Sequence, residues 1–273
     1  MNVNRIGLRI GMVLLLALGV RVGFSQNITE TQWFFGNSTQ NLVFDLNGRD
    51  VLLADNQALP FGTGGSSVIL DQFTGRLLFY SDGLRVYDGS NNLLTNALNG
   101  NPSINVPVAA APVSSSPGQY YFFTNSGTGG VNEIQYTTVD AASMAIVSPN
   151  NSTALTDPSE GMIIVPAADG VTFWLITQNR TTFEYRVTVL NNGGVGTTVT
   201  YDFTTQTPGA EAAHFSFNPD SLQLAVAPKT ANRNVSILDF DPITGVLAFN
   251  QVILNTGFDD SLGESVYDLE WSP

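Results

Sequence analysis

Three tyrosines, Tyr87, Tyr136 and Tyr185, follow one another at a constant step of 49 residues. Each closes a short run: Leu84-Arg85-Val86-Tyr87, Glu133-Ile134-Gln135-Tyr136 and Thr182-Phe183-Glu184-Tyr185. Val235-Ser236-Ile237-Leu238 comes next, 53 residues further on. A second marker keeps nearly the same pace, with Pro117, Pro166, Pro219 and Pro273 at steps of 49, 53 and 54. Each of the first three prolines precedes a turn and another apolar run, at 120–124, 172–177 and 223–227. A chain that repeats itself with such a period must build one small unit several times over.

The unit is made of strands. After Gln26 there is no apolar stripe at helical spacing; short runs of Val, Ile, Phe, Tyr and Thr alternate with Gly, Pro, Asn and Asp. A repeat of this length holding about four strands is the size of one β-propeller blade. Blades stack face to face and bury both sides of their inner strands. That accounts for near-continuous apolar runs such as Met162-Ile163-Ile164-Val165 and Phe173-Trp174-Leu175-Ile176. A β-sandwich gives no reason for the period. The expected class is all-β, a β-propeller with blades at 66–106, 107–157, 158–209 and 210–258. Residues 259–273 begin a fifth blade, and the strands expected at 26–65 are the segment able to complete it. An arc that stops at the first strand of a blade leaves an edge and an apolar face uncovered, so a longer parent protein is expected.

Composition narrows the chemistry. The chain has no cysteine, one histidine (His214) and one lysine (Lys229), with 10 basic against 23 acidic residues. Disulfides, thiol nucleophiles, thiolate metal sites and any site needing two imidazoles are excluded. The acidic balance opposes a nucleic-acid partner, which needs stripes of Lys and Arg. With 43% apolar residues there is enough material for a core.

Residues 1–25 read as an address. Arg5 and Arg9 precede the apolar run 10–20, and small residues follow at Gly23 and Ser25. This is the layout of a cleaved secretory signal, short for a membrane span and interrupted by Gly11 and Gly19. Cleavage after Ser25 removes three arginines and no acid, leaving seven basic and 23 acidic residues, a net charge of −16. The mature protein is expected to start at Gln26, to be exported and not to be integral to a membrane.

The candidate sites are few. Residues 71–79 and 241–249 share the pattern D-x-x-T-G-x-L-x-F, read as a hairpin whose aspartate accepts from its own turn. His214 would be the base of a Ser–His–Asp arrangement, with Glu211 or Asp220 to orient it, but no nucleophile motif lies nearby. Asp259, Asp260, Glu264, Asp268 and Glu270 form the densest carboxylate cluster. Oxygen ligands of that kind suit calcium, without the spacing of a known loop. Gly127 to Gly130 and Gly193 to Gly196 read as hairpin loops, not phosphate cradles. No catalytic, cofactor-binding or metal-binding residue is assigned, and calcium is the one cofactor entertained. Sequons stand at Asn27, Asn37, Asn150, Asn151, Asn179 and Asn234.

Several segments carry a family resemblance. They are Trp33-Phe34-Phe35-Gly36-Asn37, Leu42-Val43-Phe44-Asp45, the run from Gly75 to Tyr87, Phe215-Ser216-Phe217-Asn218-Pro219-Asp220-Ser221, the run from Leu238 to Gly245, and Tyr267-Asp268-Leu269-Glu270-Trp271-Ser272-Pro273. Together they resemble the N-terminal β-propeller of large secreted Bacteroidetes proteins, the gliding-motility-associated or type IX secretion cargo. The resemblance implies export, a surface or extracellular location and no known catalytic residues. It also draws notice to Asp220-Ser221-Leu222 and Asp260-Ser261-Leu262, which resemble the motif at which such bacteria O-glycosylate exported proteins. Ser221 and Ser261 are the modification candidates. Three functions are carried forward. One is a non-enzymatic surface propeller binding protein or glycan through loops at one end, and another is the architectural head of a longer adhesin. The third is a secreted hydrolase or lyase with carboxylates on the propeller axis, with or without calcium.

Overall fold

The computed structural model describes residues 62–71, 74–127, 130–206, 209–229, 234–253, 269 and 271, together with the strand courses at 32–34, 40–44 and 51–55. Every regular element among them is a strand. The first three, β1 (Gln32–Phe34), β2 (Gln40–Phe44) and β3 (Val51–Asp55), make a three-stranded antiparallel sheet in sequence order. Four four-stranded antiparallel sheets follow. Blade one contains β4 (Ser67–Leu70), β5 (Leu77–Ser81), β6 (Val86–Asp88) and β7 (Leu93–Thr95). Blade two contains β8 (Val108–Pro112), β9 (Gln119–Asn125), β10 (Glu133–Asp140) and β11 (Ala145–Thr156). Blade three runs through β12 (Pro158–Pro166), β13 (Phe173–Asn179), β14 (Tyr185–Asn191) and β15 (Gly194–Tyr201). Blade four runs through β16 (Ala212–Asn218), β17 (Gln223–Pro228), β18 (Val235–Asp241) and β19 (Val246–Ile253).

In each blade the strands pair in sequence order, and the first strands meet one another: β4 lies against β8, β8 against β12 and β12 against β16. Successive meanders joined at their first strands are the arrangement of a β-propeller, and the four expected blades are these four sheets. Both sequence markers now have a place. The tyrosines belong to the third strands, β6, β10 and β14, and Pro117, Pro166 and Pro219 lie where a first strand turns into a second.

Packing between blades supplies the core. Adjacent residues of β9 point to opposite faces, as the two-residue strand period requires. Phe122 joins Ile69, Phe79 and Val139 between blades one and two, whereas Phe123 joins Met162 and Leu175 between blades two and three. Between blades three and four lie Ile176, Tyr185, Phe215, Leu224 and Phe240. Each large side chain so removed from water contributes roughly 1.5–3 kcal/mol before entropy is counted. From the strand alternation Phe173, Trp174, Phe215 and Phe217 are all expected to be buried between blades; Phe215 is fully buried, whereas Phe173, Trp174 and Phe217 are half-buried at the cluster margins. Those three lie near strand ends, where a twisted blade opens towards solvent.

Residues 1–25 and the expected first strand of a fifth blade lie outside the described residues, apart from Leu269 and Trp271. The Trp271 indole N–H donates to the carbonyl of Ser216 on β16, at 3.0 Å.

Candidate functional site

The arc has two ends with different chemistry. The segments joining blades arrive where β8, β12 and β16 begin, which defines a linker end. The turns between first and second strands, and between third and fourth, define the opposite hairpin end.

Ionic groups gather at the linker end. Blade three's first strand carries an irregularity there: Pro158 pairs with Asn179 and Met162 with Thr177, so three residues on β12 face one on β13. Bulges of this kind re-aim side chains. Glu160 lies within the bulge and is 6% exposed. Gly161 beside it lets β12 approach β16, since a Cβ there would stand 3.0 Å from the Phe215 ring. The Glu160 carboxylate accepts from the backbone N–H of Asn105 at 3.1 Å and pairs with Lys229 Nζ at 2.8 Å. Lys229 also reaches Glu211 at 3.2 Å, and the Asn105 side-chain amide donates to the carbonyl of Ala213. Residues from three blades thus meet in one cluster. Burial pulls the Lys229 ammonium pKa down, but the bonds and charges of Glu160 and Glu211 outweigh it and hold the pKa above the ordinary lysine value. Two further pairs, Arg85 with Asp82 (2.7 Å) and Arg180 with Asp157, lie at the same end.

The turns at this end repeat as well. Asp82 accepts from the N–H of Leu84 and Arg85, Asn125 from Gly127, and Asn179 from Thr181 and Thr182. These Asx turns close the second strands of blades one to three. Blade four breaks the series with Pro228-Lys229, and the lysine side chain reaches across to blade three.

At the hairpin end the carboxylates serve their own turns. Asp71 accepts from Thr74, and Asp241 from Ile243 and Thr244, in the two D-x-x-T-G hairpins. Gly75 and Gly245 take the left-handed conformation that these turns demand, at φ +66° and +72°. Asp169 accepts from the N–H groups of Thr172 and Val171 and from the Thr172 hydroxyl, which hold its pKa below the usual carboxylate range.

A pocket of about 270 Å³ opens here between blades three and four. Trp174 forms part of its wall. The indole is fixed twice over: its N–H donates to the Pro242 carbonyl at 2.9 Å, and its six-membered ring lies where a Cβ on Gly245 would be, 2.5 Å away. Asp169, Thr172 and Asn191 line the pocket from blade three, and Ile243, 75% exposed, lines it from blade four. The Asn191 Oδ1 accepts from the N–H of Gly193, whereas its Nδ2 has no protein partner among the described residues.

The sequence candidates distribute plainly. His214 is half-buried on β16 opposite Ala227, while Glu211, one of its two expected orienters, bonds Lys229. The other, Asp220, is exposed in the β16–β17 turn next to Ser221, also exposed. Ser261 and the carboxylates at 259, 260, 264, 268 and 270 lie outside the described residues. The sequon residues Asn150 and Asn151 spend their side-chain amides on Ala97, Tyr136 and Ser148, and Asn179 is buried in its Asx turn. Sequence reasoning missed both the Glu160–Lys229–Glu211 cluster and the Trp174 pocket. The replacement of an Asx turn by the chain's single lysine was the available signal for the first. Nothing in the pattern signalled the second.

No protein-family model matches the chain, and no curated protein matches it. Among solved structures it is similar to a putative 6-phosphogluconolactonase from Bacteroides fragilis, at 14% identity and a TM-score of 0.47 over 81% of this chain and 66% of that one. It is also similar to the Aleuria aurantia lectin solved with Fucα1-6GlcNAc, at 13% identity and a TM-score of 0.49 over 81% and 74%. A nidogen/laminin complex gives 13% identity and a TM-score of 0.44 over 82% and 79%. At these values no activity or ligand transfers to this chain, and the β-propeller assignment stands on the strand pairing itself.

Proposed function

We propose that this protein is an exported, cell-surface or extracellular propeller that binds a protein or glycan ligand through its hairpin end. Service as the head of a longer adhesin, in the manner of the Bacteroidetes gliding-motility-associated and type IX secretion cargo, is the architectural version of the same reading. The observation that carries it is the pocket between blades three and four. There, polar and aromatic side chains of blade three face Pro242 and Ile243 of blade four across a concavity, the usual anatomy of a ligand site. Export rests on the layout of residues 1–25, and N-terminal sequencing of secreted material is expected to begin at Gln26.

The rival reading, a hydrolase or lyase on the axis, has Glu160 and Glu211 as its carboxylates. Both are already bonded to Lys229, and a carboxylate held in an ion pair is a poor general acid. Two assays separate these readings. The chain is applied to an array of glycans and purified extracellular proteins, and in parallel to glycoside and ester substrates with and without chelator. Saturable binding without turnover is the expected result. Turnover that disappears in Glu160→Gln would replace this reading with the enzymatic one. Ser221, exposed in the β16–β17 turn, is the proposed O-glycan acceptor, and mass spectrometry of the natively exported protein tests it.

A further inference from the structure

We infer that the Trp174 pocket takes a neutral saccharide unit, an inference that rests on the binding reading above and names its ligand class and site. Three features define the chemistry. First, the pocket mixes apolar and polar walls. The Trp174 indole and Ile243 offer surface to the C–H groups of a pyranose, while Asp169, Thr172 and Asn191 offer hydrogen bonds to its hydroxyls. Second, the wall carries both an acceptor and a donor. Asp169 presents carboxylate oxygens held by three bonds from its own turn, and Asn191 presents an amide Nδ2 with no protein partner among the described residues. A hydroxyl both donates and accepts, so it satisfies such a pair. A cationic ligand has no use for the amide donor and would meet its positive edge, and an anion would meet the Asp169 carboxylate. Third, the groups are held in place before any ligand arrives. The indole N–H is spent on Pro242, its ring rests on Gly245, and the Asn191 Oδ1 is spent on Gly193. Preorganised groups cost little ordering entropy on binding. The volume, about 270 Å³, lies just below the usual range of ligand pockets, which limits the occupant to a single small unit such as one sugar ring.

Isothermal titration of the full chain with the methyl glycosides of glucose, galactose and mannose tests this, with tetramethylammonium chloride as the cationic probe. At least one glycoside is expected to bind saturably. The variant Asn191→Asp keeps an acceptor for Gly193 and puts a second, negatively charged acceptor where the amide donor stood. It is expected to weaken that glycoside about fivefold to tenfold, the loss of roughly one hydrogen bond. Ile243→Trp, at an exposed position that tolerates change, fills the pocket and is expected to abolish binding. Glu211→Gln at the far end is expected to leave the affinity unchanged. Equal affinity in wild type, Asn191→Asp and Ile243→Trp would overturn the site while leaving a saccharide-binding protein. Binding of tetramethylammonium alone would overturn the ligand class. A chain that binds a protein on the array and none of the glycosides would retain the broader reading and refute the saccharide.

Discussion

The two ends of the arc use the same residue types for opposite purposes. At the linker end one carboxylate is paired across blades: Glu160 and Lys229 are 69 positions apart in sequence and belong to different blades, beside local pairs such as Asp82 with Arg85. At the hairpin end, Asp71, Asp169 and Asp241 each accept from groups within three residues of themselves. Long-range pairs tie blades to one another, whereas local caps shape single turns and leave the surface between them open. The concave, solvent-accessible Trp174 pocket lies at the hairpin end. One end is committed to cohesion and the other is available.

This contrast predicts an order of effects. The largest belongs to the linker end. Lys229→Met removes a charge partner from Glu160, 8% exposed at its side chain. Removal of one member of a buried pair costs roughly 3–5 kcal/mol in well-buried cases, and the partial exposure of Lys229 lowers this to about 2 kcal/mol. Chemical denaturation of the variant measures it, and a second change, Glu160→Gln, is expected to recover part of the loss. Because the folded-state pKa of Lys229 is raised, the pair contributes fully below the unfolded lysine value and is lost as pH rises through the folded one. Alkaline unfolding above about pH 10.5 is therefore expected to flatten in Lys229→Met.

Next comes the seam at the hairpin end. Gly245→Val places a branched side chain at φ +72° and drives its Cβ into the Trp174 ring. Backbone strain alone costs about 1–3 kcal/mol, and the near-ultraviolet circular dichroism of the displaced indole is expected to change with it. A cost equal to that of a surface change would mean that the Trp174 clasp is loose.

The smallest effect belongs to a single cap. Asp169→Asn is expected to cost about 0.5–1 kcal/mol, since it removes charge from bonds that the amide oxygen still accepts. The folded-state pKa of Asp169 is depressed, so its contribution is present above the unfolded carboxylate value and lost as pH falls through the folded one. The stability curves of the wild type and of Asp169→Asn are expected to converge in acid. Should this exposed cap prove costlier than Lys229→Met, the division between a cohesive and an available end would fail.

The blades were legible in sequence because their markers are imposed by the fold. A buried residue on each third strand and a turn after each first strand recur whenever the unit recurs, so Tyr185 and Pro166 report geometry directly. The expected blades 107–157 and 158–209 meet where β11 gives way to β12. The site was not legible, for two physical reasons. Glu160 reaches Lys229 through a bulge, which interrupts the alternation that pattern reading relies on. The pocket wall is shared by β13 and the β18–β19 turn, and no local pattern records a contact between blades. Trp174 and Phe217 also read as interior residues, because alternation tells which face a side chain takes but not how near it lies to the blade's rim.

The solitary lysine has a practical consequence. Apart from the α-amino group, Lys229 is the one primary amine in the chain, and in the native state its ammonium is held between two carboxylates. Acylating reagents attack the free, uncharged amine, so they react with this side chain slowly until the linker end opens. The rate of its modification is therefore a built-in clock for local opening between blades three and four, readable by mass spectrometry without any engineered probe. Amine-coupled surfaces, for the same reason, would hold the molecule by its α-amino group or by a partly opened linker end. Attachment through Lys229 leaves the hairpin face directed at the solution.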